Sequence, residues 1–164
     1  MRTPIITIGS ILLSAPALAQ QRGLQELLQN AGRVDCSFSA IATADWPADG
    51  PGITIDESDF SAAFTNINVE SGTADAEGRF GASYIIVRYA EGYLHFMQTL
   101  TAGPIYLTTI LAQPTTEGRL KAVHTRHEYT AVSLPNFTSR PEMYVGDCSV
   151  EPKDAEDDGW NFDE

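Results

Sequence analysis

The sequence predicts a mainly β domain, a small antiparallel barrel or sandwich with one short helix at its N-terminus. Three observations carry that prediction. From Arg33 onward apolar and polar residues alternate with a period of two. The connections between the apolar runs are short and carry Gly or Pro, as in Glu91-Gly92 and Gly103-Pro104, which joins strands as antiparallel neighbours. Two cysteines, Cys36 and Cys148, stand near the two ends of the patterned region.

The elements follow in chain order. Residues 1–19 have the parts of a secretory signal peptide of bacterial type. Arg2 supplies the positive start, an apolar run follows, and Ala17-Leu18-Ala19 supplies a small-x-small cleavage site. That run is broken by Gly9, Ser10 and Pro16 and is too short to span a bilayer, so no membrane span is expected. Residues 20–31 place Leu24, Leu27, Leu28 and Ala31 at helical spacing, with Gly32 as the stop. Val34, Cys36, Phe38 and Ala40 then alternate with polar residues as a first half-buried strand. After the loop at 45–52, apolar residues between Ile53 and Val69 mark two or three further strands, and 75–78 reads as a turn.

Residues 79–129 hold a meander with strands at about 80–90, 93–102, 105–113 and 119–129. Two-residue turns set the expected register. Val87 meets Phe96 and Arg88 meets His95 across Glu91-Gly92; Leu100 meets Leu107 and Phe96 meets Leu111 across Gly103-Pro104. A last strand lies near 142–149. One β-rich domain over 20–150 is then followed by an acidic tail at 151–164, with seven carboxylates against one lysine, expected to be disordered. The strand count suits a lipocalin-like shape, as an analogy of architecture alone.

The chain has 164 residues and a net charge of −12, which argues against binding nucleic acid, since phosphate contacts need clustered Lys and Arg. With a leader and only two cysteines, a Cys36–Cys148 disulfide and a periplasmic or secreted location are expected. No nucleophile elbow, phosphate loop or metal-spaced ligand set occurs, so no catalytic residue, metal or cofactor is assigned. The acidic stretches at 45–56 and 154–159 only partly match a calcium loop. The Asn136-Phe137-Thr138 sequon reads as chance in a bacterial chain.

Two constellations remain. In the expected register the second face of the meander carries Tyr84, Arg88, Tyr93, His95, Met97 and Tyr106, with Ile86 and Ile110. This amphipathic surface is suited to a small apolar ligand or a protein partner. His124, His127 and Glu128 form the only imidazole–carboxylate cluster, the basis of an alternative reading as a hydrolase or metal enzyme. On a strand, however, the odd spacing sends His124 and His127 to opposite faces. A third reading is an accessory protein acting through its acidic tail. Non-catalytic binding is the leading expectation.

Overall fold

The computed structural model describes residues 15–77, 83–99, 103–129 and 140–153. Expectations for the start of the leader, the sequon and residues 154–164 fall outside these. Eight antiparallel strands follow the helix α1 (Ala15–Gln29): β1 (Ala31–Asp45), β2 (Gly52–Asn68), β3 (Thr73–Glu77), β4 (Ser83–Ala90), β5 (Tyr93–Thr99), β6 (Ile105–Pro114), β7 (Leu120–His127) and β8 (Glu142–Pro152). Each pairs with its sequence neighbour and β8 returns to β1, so the sheet closes into an up-and-down barrel. Of the two architectures the sequence allows, the barrel is the one formed.

Most of the interior is apolar. Phe38, Phe64, Ile85, Val87, Leu94, Phe96 and Ile110 are buried inside the ring, and burial of such side chains is the main favourable contribution to folding. One end is closed by α1. Leu28 is fully buried, Leu24 packs against the core, and Gln21 donates a hydrogen bond to the Ala112 carbonyl at 3.2 Å. These anchors all follow Ala19, whereas Leu18 within the expected cleavage site is largely exposed. Gly32 does not stop the helix, which ends at Gln29. Gly32 lies in β1 where a Cβ would come 2.9 Å from the Lys153 backbone, so the need there is close approach.

Cys36 and Cys148 face each other in register across β1 and β8 and form the expected disulfide, closing the barrel seam covalently. β8 runs past residue 150, pairing Glu151 with Arg33 and Pro152 with Ala31, so the first residues assigned to the tail belong to the sheet. The run from Ile53 to Asn68 is one strand with irregularities. β1 and β2 shift register between Phe38 and Ala40, and Asn66 takes a left-handed conformation (φ 50°) that lets both Phe64 and Ile67 point inward. Residues 75–77, expected as a turn, lie in β3; the turn comes earlier, at Gly72 (φ 73°).

The β4–β5 register is as expected, with Val87 opposite Phe96 and Arg88 opposite His95. Glu91 and Gly92 both take positive φ, the conformation of a two-residue hairpin turn twisted to suit its strands. The β5–β6 register differs. Thr99 pairs with Ile105 and Phe96 with Thr108, a slip of three residues from the expected pairing. The connection is therefore longer than Gly103-Pro104. An odd slip exchanges the faces of β6: Thr108, Ile110 and Ala112 are buried, while Leu107 and Leu111 are only half-buried.

Candidate binding surface and barrel mouth

The slip divides the expected amphipathic face. Arg88, Tyr93, His95 and Met97 share the outer wall of β4 and β5, whereas Tyr106 and Ile110 belong to the interior set of β6. The correction has a simple cause: Tyr106 pairs with Gln98, inside, because β6 is displaced by an odd number of residues. Tyr84 pairs with Asp75 through its backbone, and its side chain lies outside the described residues.

On the outer wall, Tyr93 is 44% exposed and its ring lies nearly parallel to that of His95, centroids 6.1 Å apart. His95 Nδ1 is 2.9 Å from the Thr109 hydroxyl, and burial lowers its pKa, keeping the ring neutral near pH 7. Arg88, opposite His95 in the ladder, turns back to donate to the Val87 carbonyl at 3.0 Å.

The wall continues around the barrel. Along one line of cross-strand partners lie Met97, Leu107, Thr125, Met143, Ala42 and Ile55. The adjacent line adds Val123, Val145 and Ala40, flanked by Thr109 on β6 and Glu57 on β2. Met143 and Val145 are 45% and 47% exposed, and Ile53 and Ile55 reach 73% and 77%. Isolated exposed apolar side chains are ordinary, but a continuous wall of them is not. On β1 and β8 it occupies the half of the barrel away from α1. Towards the helix the outer face turns polar, with Arg33, Asp35 and Ser37 on β1 and Asp147 and Ser149 on β8. A bilayer-spanning barrel shows the opposite pattern, with an apolar band around the whole circumference and a polar interior.

Inside, the end opposite α1 holds a polar network. Along the interior lines, Tyr106 pairs with Arg126 and Arg126 with Glu142, while Thr108 pairs with His124 and His124 with Tyr144. The Arg126 guanidinium carbon lies 4.4 Å from the Phe60 ring centroid, 5.0 Å from Tyr144 and 5.6 Å from Tyr106, and Nη1 is 3.5 Å from Glu142. A cation caged by three rings and paired with a carboxylate is stabilised against burial. Tyr144 donates its hydroxyl to Glu142, and Tyr106 donates to Glu128 at 2.9 Å. Burial and then Glu128 push the Tyr106 hydroxyl up to about 12, and burial and then Glu142 raise Tyr144 too. His124 Nδ1 lies 2.8 Å from the Thr108 hydroxyl, and its pKa falls to about 3 through burial and then the Arg126 charge.

The cluster of His124, His127 and Glu128 is therefore not brought together. His124 is buried inside, His127 is exposed on the outer face, and Glu128 is engaged by Tyr106. Phe60 and Arg126, which the sequence reading did not single out, are central to the network instead. The shared parity of 124 and 126 on β7, carried on by Glu128 just past its end, was the available signal. Among the described residues, no three His, Cys, Asp or Glu side chains are grouped so as to hold a metal ion, and no helix is long and apolar enough to cross a membrane. The chain matches no known family model, no curated protein and no solved structure.

Proposed function

We propose that this chain is a non-catalytic binding module of the periplasm or extracellular space, and that its outer wall docks a protein partner. The observation that carries the reading is the continuous outer face on β2, β1 and β8, where Ile55, Ala42 and Met143 stand in one line with Ile53 and Val145 beside it. Burying such a face removes apolar area from water at roughly 25 cal/mol per Å² before the costs of association. The expected Tyr93, His95 and Met97 surface extends the same wall, so the partner reading absorbs most of it.

Two further features support binding over catalysis and over an apolar ligand held inside. The ionisable groups at the barrel mouth are engaged as Tyr–Glu and Arg–Glu pairs, and His124 is held by the Thr108 hydroxyl. The interior is filled by aromatic rings, with Phe38, Phe60, Tyr144 and His124 in mutual contact. A disulfide-closed barrel is compatible with an oxidising compartment.

A photo-crosslinking residue placed at Met143, with a control at Asp147 on the polar half of the same strand, tests the reading in cells. Adducts to a protein from position 143 but not from 147 are expected. The Val145→Glu variant, with an unchanged melting temperature, should lose them. Equal labelling at both positions, or none at 143, overturns the proposal.

A further inference from the structure

We infer that the open edge of β2 between Gly52 and Glu57 is a strand-addition site for an extended segment of another protein that alternates apolar and basic residues. The inference rests on the partner-binding reading and names the chemistry of the partner. β2 pairs with β1 from Gly52 to Phe64, whereas among the described residues β3 covers its other edge from Ala63 to Asn68. Among the described residues, nothing pairs with that edge from Gly52 to Ala62. Residues 52–57 are exposed on both faces of the strand.

The direction of the backbone groups follows from the pairing. Ala44 donates its amide to the Pro141 carbonyl at 2.9 Å, on the β8 side. Successive residues of a strand alternate sides, so Thr43 and Asp45 turn towards β2, where they meet Thr54 and Gly52. Ile53, Ile55 and Glu57 therefore each direct an N–H and a C=O to the open edge. An exposed edge of this kind is a template for another strand, with main-chain hydrogen bonds supplying affinity and alternate side chains supplying specificity.

The side chains choose the occupant. A strand added here sets alternate residues beside Ile53 and Ile55, which favours apolar groups. The intervening residues fall beside Thr54 and Asp56, while Glu57 follows Ile55 on the apolar face at the end of the segment. Those carboxylates, in a chain of net charge −12, favour Lys or Arg. The same charges disfavour a second copy, whose own Asp56 and Glu57 would approach them.

The probe is a fluorescein-labelled Lys-Val-Lys-Val-Lys-Val peptide, compared with its Glu-Val counterpart and with a Lys-Val peptide N-methylated on alternate amides. Fluorescence anisotropy should show binding of the first alone, with slowed amide exchange at Ile53, Ile55 and Glu57. Ile55→Pro removes a donor that points to the open edge and leaves Thr54 and Asp56 paired with β1, so the barrel should persist while affinity falls at least tenfold. Asp56→Lys with Glu57→Lys should exchange the preference to the Glu-Val peptide. If Ile55→Pro fails to fold, the N-methylated peptide and the exchange data decide. Equal binding of the N-methylated peptide, no binding of any peptide, or a dimer abolished by Ile55→Pro overturns the inference. Failure here with crosslinking at Met143 retained sinks the edge assignment and leaves the partner-binding reading standing.

Discussion

Phe64 and Phe96 stack ring on ring, with centroids 4.0 Å apart and planes 5° from parallel. They belong to β2 and β5, which are separated in the sheet by β3 and β4, so the contact spans the barrel interior. Both side chains are almost fully buried.

Phe96→Ala should therefore destabilise by about 3–5 kcal/mol, the usual cost of removing a buried ring. Phe64→Ala should cost a similar amount. Combining the two should be non-additive by about 0.5–1.5 kcal/mol, because each single variant already breaks the stack. Urea unfolding of the four proteins measures this. A loss under about 1 kcal/mol for Phe96→Ala would contradict the inward placement.

The disulfide joins the first and last strands across a sequence separation of 112 residues. In the chain-entropy model a loop of that size contributes about 4–5 kcal/mol. Replacing Cys36 and Cys148 together by Ala should lower the melting temperature by many degrees while leaving the far-ultraviolet spectrum of the folded state unchanged. Mass spectrometry of native protein should show a two-dalton deficit. Two alkylatable thiols in the folded protein would contradict the pairing.

The legible parts of the fold were those with a single solution. The Glu91-Gly92 turn permits one tight hairpin, and it set the β4–β5 register correctly. β6 was ambiguous because both its faces are apolar: Ile105, Leu107 and Leu111 on one, Tyr106, Ile110 and Ala112 on the other. Alternation cannot orient such a strand, and the extra residues between Thr99 and Ile105 decided it. The outer wall was hidden for the same reason. Ile53 and Ile55 read only as strand positions, and the barrel closes without covering them. Register irregularities at Phe38/Ala40 and at Asn66 change which residues face inward, and local composition does not announce them. The polar network at the mouth depends on that closure, since Phe60 of β2 meets Arg126 of β7 only across the ring.

His124 makes stability depend on pH. Its folded pKa of about 3 lies below the ordinary imidazole value of 6.5, so the folded chain binds fewer protons than the unfolded chain between these values. Stability therefore falls as the pH drops below about 6.5, at up to roughly 1.4 kcal/mol per pH unit from this group, and is unaffected by it above neutrality. His124→Asn retains a polar partner for the Thr108 hydroxyl and should flatten the decline by nearly one proton. Denaturation midpoints at pH 7, 6, 5 and 4 measure the slope. Parallel slopes for the two proteins would show that His124 is not buried in its neutral form.

Gly146 sits opposite Phe38 of β1 and Ala122 of β7, on the interior side of β8. Small residues there leave room for the Phe38 ring, which stacks on Phe60 at 5.5 Å. A Cβ added at Gly146 would come 2.0 Å from the Ser37 carbonyl oxygen and 2.6 Å from the Phe38 Cα. Both are backbone atoms, so relief requires β1 and β8 to separate at the register shift next to Phe38. Gly146→Ala should cost about 3 kcal/mol or more, at or beyond the upper end of ordinary overpacking. Gly23 provides the contrast: it lies in α1 with nothing within 4 Å of an added Cβ. Gly23→Ala should stabilise by about 0.5–1 kcal/mol, because Ala loses less backbone freedom in a helix. The same chemical change should thus move the melting temperature in opposite directions at the two sites. A neutral Gly146→Ala would mean that β1 and β8 do not approach so closely at Phe38.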